Sequence, residues 1–350
     1  MTLSAEVTPL LMTPNSTFRI ARKTQTQVEN VLLTLSDETV TSCGEAAPTP
    51  YYEEDLATAQ SELQSFVGEG LRAPLPRTPD GVRELWRTNA RRIHSQSVLA
   101  AVDMAHWDFA ARKARQPLRS FCGANGRAVM ETSYTVALGS SEEMAAKARR
   151  LGNCPVIKVK LGTGADLEIV RAIREVYKGR IRVDANGAWS VEKTIRLARE
   201  LKALGVELIE QPLPPAQDAQ MPKVREAAAL PLIADESCVT ERDVARCVEG
   251  FDGINIKLTK CGGITPGLRM VRQARKLHLR VMVGCMLESN VGISAGLVLG
   301  GLADYVDLDG SWLLADDPFE GHALRDGVFR MSDSPGLGVR AREGAFPGRP

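Results

Sequence analysis

The chain has 350 residues, with 44 Lys and Arg against 43 Asp and Glu, so its formal net charge at pH 7 is +1. This balance gives no electrostatic footprint for nucleic acid or for an anionic membrane surface. Hydrophobic residues make up 44% and charged residues 25% of the chain, which is typical of a soluble globular protein, and the length allows one barrel-sized domain with an appendage.

The N-terminal segment and the cysteines indicate the compartment. The first residues, MTLSAEVTPLLMTPNST, contain no basic region followed by an apolar core, and no window approaches about 18 consecutive apolar residues, so we expect neither a signal peptide nor a membrane span. The seven cysteines form no C-x-x-C pair and the four histidines no H-x-x-x-H motif. Free thiols fit a reducing compartment better than a disulfide framework or a zinc site, and we therefore expect a cytoplasmic protein.

Residues 1–128 predict a small α+β domain. The apolar run Val31–Leu35 indicates a strand, and the polar turn after it leads into Cys43–Ala46. The Ala-rich stretch from Ser95 to Arg115 has apolar residues at helical spacing and predicts a helix. The domain should therefore consist of a short antiparallel sheet followed by helices.

From residue 129 the chain repeats one pattern eight times. A short apolar run ends in a polar or thiol residue and is followed by a helical pattern. The residues that end the runs recur at intervals of about 25 positions and are Thr135, Lys160, Asp184, Glu210, Asp235, Lys257, Cys285 and Asp307. Eight even strand–helix units predict a (β/α)8 TIM-like barrel over residues 129–312; an open doubly wound sheet is the alternative, and the even spacing favours closure.

The remaining segment, residues 313–350, is rich in Gly, Pro and Asp and contains no ninth strand–helix unit. We expect it to return and pack on the N-terminal domain.

Three carboxylates end consecutive predicted strands, in the motifs VDAN, IEQP and ADES: Asp184, Glu210 and Asp235. The carboxyl ends of barrel strands form the active-site rim, so the three should converge there and repel one another. A hard dication with oxygen ligands, most simply Mg²⁺, removes that repulsion. The alternative is three separate surface carboxylates, which would need the same position in three consecutive units by chance.

Lysines flank this triad along the chain. Lys158 and Lys160 share one face of the strand IKVKLG, and Lys257 ends the strand after the triad. Because desolvation or a neighbouring cation lowers the pKa of a lysine, we expect a lysine base tuned by its surroundings. Such a base can remove the proton alpha to a carboxylate, and Mg²⁺ with Lys158 can stabilise the enediolate that forms. Two lysines on opposite faces of the carbon would invert it. The alternative is a set of structural, salt-bridged lysines.

Five motifs in this order resemble the enolase superfamily, in its muconate-lactonizing subgroup: IKVKLG, VDANGAW, IEQPL, ADES and INIKLTKCGG. CGEAAPTPYYEE and PGLGV extend the resemblance over almost the whole chain. The motif YVDLDGSW, with Asp307 and Asp309, is similar to the D-x-D of dipeptide epimerases, in which the aspartates hold the α-ammonium group of the N-terminal amino acid. The period of a strand also places both carboxylates on one face, where they can bind a cation; the alternative for Asp309 is a turn residue before Gly310.

The resemblance implies a role for each matching residue. Lys160 and Lys257 would each accept and donate the proton, Lys158 would support the enolate and the substrate carboxylate, and the carboxylate triad would hold Mg²⁺. The further residues expected to contact the substrate are Thr135, Cys285 and Leu287. Relatives often carry Ser where this chain has Cys285, so a backbone contact would survive the difference and a hydroxyl contact would not.

The loop IARKTQTQ of the N-terminal domain is expected to lie over the barrel mouth. In alanyl-glutamate epimerases a cationic residue of this loop pairs with the substrate glutamate, and Lys23 or Arg22 would do likewise here. Lysine lacks the bidentate fork of arginine, so a contact from Lys23 would be looser. A surface role for both residues is the alternative.

The resemblance therefore implies a Mg²⁺-dependent dipeptide epimerase that inverts the α-carbon of the C-terminal residue. The leading substrate is L-Ala-D/L-Glu, as in murein peptide recycling, and a homo-oligomer is left open. The alternative is a lyase or racemase of the same subgroup, such as an o-succinylbenzoate synthase or an N-succinylamino acid racemase, which has no evident use for the D-x-D pair. A barrel that only binds would be expected to have lost a lysine or a metal carboxylate.

Overall fold

The structure, a computed structural model, describes residues 3–21, 23–70 and 75–346. Its N-terminal region, the residues before position 129, contains these elements: β1 (Ser4–Met12), β2 (Phe18–Ile20), β3 (Lys23–Gln25), β4 (Val28–Ser36), β5 (Thr41–Ala46), α1 (Leu56–Gly70), α2 (Pro79–Asn89), α3 (Gln96–Lys113) and α4 (Leu118–Phe121). Strands β1, β4 and β5 form an antiparallel sheet with β4 in the middle. Strands β2 and β3 form a hairpin of their own.

Helix α3 joins the N-terminal sheet to the rest of the molecule. Val98 and Val102 pack with the apolar residues of β4, whereas Met104 and Trp107 belong to the larger core that extends through the barrel. Strand β5 approaches α3 closely at Gly44, where an added Cβ would lie 1.9 Å from the Ala101 carbonyl oxygen. A helix buried on both sides explains why its sequence is rich in alanine.

The predicted barrel is confirmed. Strand β6 (Val129–Glu131) precedes it, and the eight parallel strands follow in chain order: β7 (Tyr134–Val136), β8 (Val156–Lys160), β9 (Arg180–Asp184), β10 (Val206–Glu210), β11 (Leu232–Ala234), β12 (Gly253–Lys257), β13 (Arg280–Gly284) and β14 (Tyr305–Asp307). Each strand pairs with the next one. The Ser133 amide donates a hydrogen bond to the Val306 carbonyl (3.1 Å), which connects the first strand to the last.

Helices cover the outside of these strands: α5 (Ser141–Arg150), α6 (Asp166–Val176), α7 (Val191–Ala203), α8 (Met221–Ala227), α9 (Cys247–Gly250), α10 (Leu258–Cys261), α11 (Ile264–Lys276) and α12 (Asn290–Gly300). Serine side chains cap several N-termini: Ser140 forms a capping box with Glu143, and Ser190 and Ser289 cap α7 and α12. The helices after β10 and β11 are short.

The C-terminal segment returns to the N-terminal region, as predicted. It contains β15 (Phe319–Glu320), β16 (Ala323–Arg325), β17 (Val328–Arg330) and β18 (Arg340–Ala341), and β17 pairs with β6. The Leu337 amide donates to Asp108 Oδ1 (2.7 Å) on α3, and the Leu118 amide donates to the Gly336 carbonyl (2.8 Å). The domain boundaries at residues 128 and 312 stay predictions. Among the described residues, no helix is long and apolar enough to cross a bilayer.

Candidate active site

Three neighbouring barrel strands bring their terminal carboxylates together. Asp184 and Glu210 are the last residues of β9 and β10, and Asp235 follows β11 directly. One carboxylate oxygen of each residue lies within 4.8 Å of the others, and all three side chains are buried. The parallel register, in which Glu210 pairs with Asp184, sets both groups at one height. The structure therefore places the predicted triad at a single point.

Burial and mutual repulsion act on this triad. Burial raises the pKa of Glu210 to about 7, and the charge of Asp184 adds to the rise. Burial also opposes ionisation of Asp184, but Lys160 and Lys158 outweigh it and lower the pKa of Asp184 below its usual range. Asp184 is thus held ionised by the ammonium groups beside it, whereas for Glu210 the attraction of Lys158 does not outweigh burial and the charge of Asp184.

The three predicted lysines contact these carboxylates from different sides. Lys160 Nζ lies 2.7 Å from Asp184 Oδ2, and Lys257 Nζ lies 2.8 Å from Asp235 Oδ2. Lys160 ends β8 and Lys257 ends β12, four strands further around an eight-stranded barrel. The two amines therefore approach the mouth from opposite sides, with the triad between them.

Lys158 lies deeper, among carboxylates from both sides of the barrel. Its Nζ is 2.7 Å from Glu210 Oε2 and 2.7 Å from Asp307 Oδ2. Burial favours the neutral amine, but Asp307 and Glu210 outweigh it and raise the pKa of Lys158 well above its usual value. The pKa of Lys257 is also raised, because Asp235 outweighs the effect of burial. Lys158 and Lys257 therefore have raised pKa values where lowered ones were expected, since both amines face carboxylates.

The two aspartates of YVDLDGSW differ in their contacts. Asp307 is engaged by Lys158 and by the Ser133 hydroxyl (2.5 Å), whereas Asp309 Oδ2 accepts a hydrogen bond from the Thr135 amide (2.6 Å). Burial and the charge of Asp307 raise the pKa of Asp309 to about 6. Asp309 precedes a 3₁₀ turn (Gly310–Leu313), but its side chain makes no capping bond there.

These groups open into one cavity of about 540 Å³ between the barrel mouth and the N-terminal region. The predicted site residues that line it are Thr135, Lys158, Lys160, Asp235, Lys257, Cys285, Leu287, Asp307, Asp309 and Lys23. Asp184 and Glu210 lie beneath this surface and are fully buried. Arg22 lies outside the described residues. A larger groove of about 1200 Å³, between β1 and the C-terminal segment, is lined by none of the predicted site residues.

Three further polar residues hold the triad; from the sequence Lys260 was expected at the surface or just behind the site, and Gln211 and Asn255 were missed. Lys260 is 1% exposed, and its Nζ lies 2.6 Å from both Asp235 Oδ1 and the Asp235 carbonyl oxygen. Gln211 Oε1 accepts from the Asp235 amide (2.9 Å), and Asn255 Nδ2 donates to Glu210 Oε1 (2.9 Å). Asn255 precedes Lys257 by two positions on the same strand face, which is the signal that could have found it.

The donor set fits a hard dication. Three buried carboxylates supply oxygen ligands, which Mg²⁺ and Ca²⁺ prefer. Glu210 Oε2 is buried and accepts no hydrogen bond in the described structure; its close contact is the ion pair with Lys158. A buried anionic oxygen of this kind is a suitable metal ligand.

Comparison with known families decides the ancestry of this arrangement. The "Enolase C-terminal domain-like" family matches residues 141–345, and the "Mandelate racemase / muconate lactonizing enzyme, N-terminal domain" family matches residues 5–123. The chain belongs to the enolase superfamily. The resemblance to the enolase superfamily that five sequence motifs indicated is thereby confirmed.

Within the enolase superfamily the chain is similar to named epimerases. It is 39% identical to an L-Ala-D/L-amino acid epimerase of Flavobacterium johnsoniae over 92% of this chain and 95% of that protein. It is 36% identical to a hydrophobic dipeptide epimerase of Roseobacter litoralis over 91% of this chain and 94% of that protein. These relatives confirm the predicted isomerase class, that of racemases and epimerases.

Solved structures agree with this assignment. The substrate-liganded L-Ala-D/L-Glu epimerase of Bacillus subtilis superimposes with a TM-score of 0.89 at 28% identity, over 97% of this chain and 98% of the other. The dipeptide epimerase of Cytophaga hutchinsonii, in complex with Mg and D-Ala-L-Val, gives a TM-score of 0.89 at 28% identity, over 98% and 96%. The enolase-superfamily barrel with an N-terminal capping domain is thus confirmed.

Proposed function

We propose that this enolase-superfamily protein is a Mg²⁺-dependent dipeptide epimerase that inverts the α-carbon of the C-terminal residue. The observation that carries the proposal is the opposed placing of Lys160 and Lys257 across a carboxylate triad, in one cavity. Inversion needs one group that removes a proton from one face of a carbon and another that supplies a proton to the opposite face. Two amines on opposite sides of the mouth meet that requirement.

The proton transfer follows from these positions. The amine of one lysine takes the α-proton, and the electron pair of the broken C–H bond moves into the substrate carboxylate to form an enediolate. The ammonium of Lys158, which lines the same cavity, stabilises the added negative charge. The opposite lysine then donates its proton to the other face of the carbon. For the reverse epimer the two lysines exchange roles.

Asp184, Glu210 and Asp235 would hold the Mg²⁺ ion. When bound, the ion would supply positive charge that favours ionisation of the α-carbon. Carboxylates that ligate a dication attract nearby ammonium groups less strongly, so the pairing that now raises the pKa of Lys257 would weaken. A free amine at Lys160 or Lys257 is what the first proton transfer requires.

The D-x-D pair supports a substrate with a free amino terminus. Asp309 and Asp307 present two carboxylates at the cavity wall. Their combined negative charge exceeds the single positive charge of Lys158, which pairs with Asp307. A peptide α-ammonium group would complete the charge balance by a charge-assisted hydrogen bond. An N-succinylamino acid carries an anionic group instead of an ammonium group. The carboxylates of Asp307 and Asp309 would repel it, which argues against the alternative racemase or synthase activity.

L-Ala-L/D-Glu remains the leading substrate in our proposal, because Lys23 lines the cavity and is exposed to it. A dipeptide with an apolar C-terminal residue is the second candidate, since Phe18, Ile20 and Tyr52 line the same cavity. Epimerisation of Ala-Glu would serve the recycling of murein peptides, and we propose a cytoplasmic location for it.

A screen in D₂O tests the proposal. The protein with Mg²⁺ is incubated with a library of L,L-dipeptides, and mass spectrometry records deuterium uptake at each α-carbon. We expect uptake at the C-terminal residue, with Ala-Glu exchanging faster than Ala-Lys. N-succinylamino acids serve as the matched control; exchange in these compounds and in none of the dipeptides would overturn the proposal in favour of the alternative activity.

A further inference from the structure

Two buried carboxylates of the N-terminal region reach the N-termini of barrel helices. Glu45, on β5, contacts the start of α12, and Asp103, on α3, contacts the start of α11. Both side chains are 2% exposed. Neither was singled out from the sequence, and neither lines the cavity. The two contacts differ in what they hold on the barrel side.

Glu45 is surrounded by hydrogen-bond donors. Its Oε2 accepts from the Ser289 hydroxyl (2.6 Å) and the Gly292 amide (3.1 Å), and its Oε1 accepts from the Ser289 amide (3.0 Å). Asn30 Nδ2 donates to Oε1 as well, at 2.7 Å. Each of these neighbours donates to a carboxylate oxygen, so the position suits a group at a helix N-terminus that only accepts hydrogen bonds; burial raises the pKa of Glu45, and these donors oppose that rise.

These bonds tie down the segment that precedes α12. We call residues 285–289 the β13–α12 segment. Asn30 Nδ2, which is held by Glu45, also donates to the Leu287 carbonyl (3.0 Å), and the Met286 amide donates to Glu288 Oε1 (2.8 Å). Cys285, Met286 and Leu287 all line the cavity. The cavity wall on this side is therefore fixed from the N-terminal region, through Asn30 and Glu45.

Asp103 makes a similar contact without reaching the cavity. Its carboxylate accepts from the Thr265 amide (2.7 Å) and the Thr265 hydroxyl (2.7 Å). Trp107 Nε1 donates to the same hydroxyl (2.8 Å). Thr265 is a buried residue of α11 and does not line the cavity. Asp103 therefore joins the same two parts of the molecule at a place remote from the substrate.

We infer that Glu45 is a positioning residue: through it the N-terminal region fixes the β13–α12 segment in the conformation that binds substrate. The inference rests on the proposed function, because it takes the cavity to be the substrate site. Lys160 and Lys257 make no hydrogen bond to this segment in the described structure. Loss of the Glu45 contact should therefore weaken substrate binding more than it slows proton transfer.

The test compares Glu45→Gln with the matched control Asp103→Asn. Each substitution keeps the shape and replaces one carboxylate oxygen by an NH₂ group that faces donors, so both weaken the contact between the N-terminal region and the barrel. We expect KM for the best dipeptide to rise about tenfold in Glu45→Gln, the factor that corresponds to losing one strong hydrogen bond. The value of kcat should change less than KM, and Asp103→Asn should leave KM within about twofold of the unaltered protein.

A second readout needs no substrate. Cys285 is the half-buried cysteine of the chain, and the other six are buried, so an uncharged maleimide followed by peptide mass spectrometry reports on the β13–α12 segment. We expect the rate of Cys285 labelling to rise several-fold in Glu45→Gln and to stay unchanged in Asp103→Asn. Equal labelling of Cys285 in all three proteins would overturn the inference, whether or not the protein epimerises dipeptides.

Ser289→Ala covers the case in which Glu45→Gln fails to fold. It removes the 2.6 Å hydroxyl bond to Glu45 from the barrel side, together with the capping bond from the Val291 amide (3.1 Å), and it leaves the carboxylate intact. We expect faster Cys285 labelling and a higher KM, both smaller in size than for Glu45→Gln. Changes in kcat and KM no larger than those of Asp103→Asn, with unchanged Cys285 labelling, would assign Glu45 a structural role alone.

Discussion

The barrel mouth and the hairpin that faces it differ in how their side chains are held. At the mouth, Lys158 is 1% exposed and Asp184 fully buried, and each makes short ion pairs. On the hairpin of β2 and β3, Lys23 is exposed and Phe18 and Ile20 are half-buried. The groups proposed for proton transfer are thus fixed by strands, whereas those proposed for side-chain recognition lie on a thin surface element. Chemistry and substrate preference should therefore be separable by mutation.

The largest effect is expected at the mouth. Lys160→Ala and Lys257→Ala should each lower the rate of epimerisation by about 10³-fold or more, the upper part of the range for loss of a positioned acid–base group. Chiral chromatography of the dipeptide measures this loss. Exchange of the α-proton with D₂O should persist for the epimer whose proton faces the remaining lysine. Full activity in either variant would refute the two-base scheme.

A smaller effect is expected at the D-x-D pair, which lines the same cavity as the lysines. The pKa of Asp309 is raised to about 6, so Asp309 loses its charge as the pH falls through that value and its attraction for an ammonium group weakens. KM for dipeptides should rise as the pH is lowered from about 7 to about 5, and Asp309→Asn should raise KM about tenfold at neutral pH and remove this acid dependence. Initial rates measured across that pH range give both results; an unchanged KM in Asp309→Asn would argue against ammonium binding.

The smallest effect is expected on the hairpin. Lys23 is exposed, and exposed ion pairs contribute little, so Lys23→Ala should raise KM for Ala-Glu by only a few-fold. KM for a dipeptide with an apolar C-terminal residue should stay unchanged, which makes that dipeptide the control within the same experiment. An equal change for both dipeptides would place the glutamate contact elsewhere.

The sequence predicted those parts of the molecule that repeat or alternate. The interval between strand ends predicted the barrel, and it also predicted that Asp184, Glu210 and Asp235 lie together, because equivalent positions in parallel strands end at one rim. The contact of Lys260 with Asp235 could not be predicted, because a four-residue helix after the strand turns the side chain beneath Asp235. Glu45 and Ser289 are 244 positions apart in the chain, so no local sequence pattern could predict their contact.

The pKa of the lysines could not be predicted for a similar reason. The sequence shows that Lys158 and Lys160 are neighbours and suggests mutual repulsion. Only the folded arrangement shows that Asp307, from the last strand, reaches Lys158 and, together with Glu210, outweighs the effect of burial on its pKa. A pKa depends on every charge packed around the group, including charges that arrive from distant parts of the chain.

The placing of Lys160 and Lys257 half a turn apart around the barrel has a further consequence for the cell. With an amine on each face of the α-carbon either epimer could be converted, and a dipeptide left with the protein would approach the equilibrium mixture of the two epimers, which their own stabilities set and a catalyst does not change. Net conversion would then depend on which epimer other enzymes supply and which they remove. The proposed epimerisation would thus be reversible, and the enzymes that produce and consume the two epimers would decide its net direction.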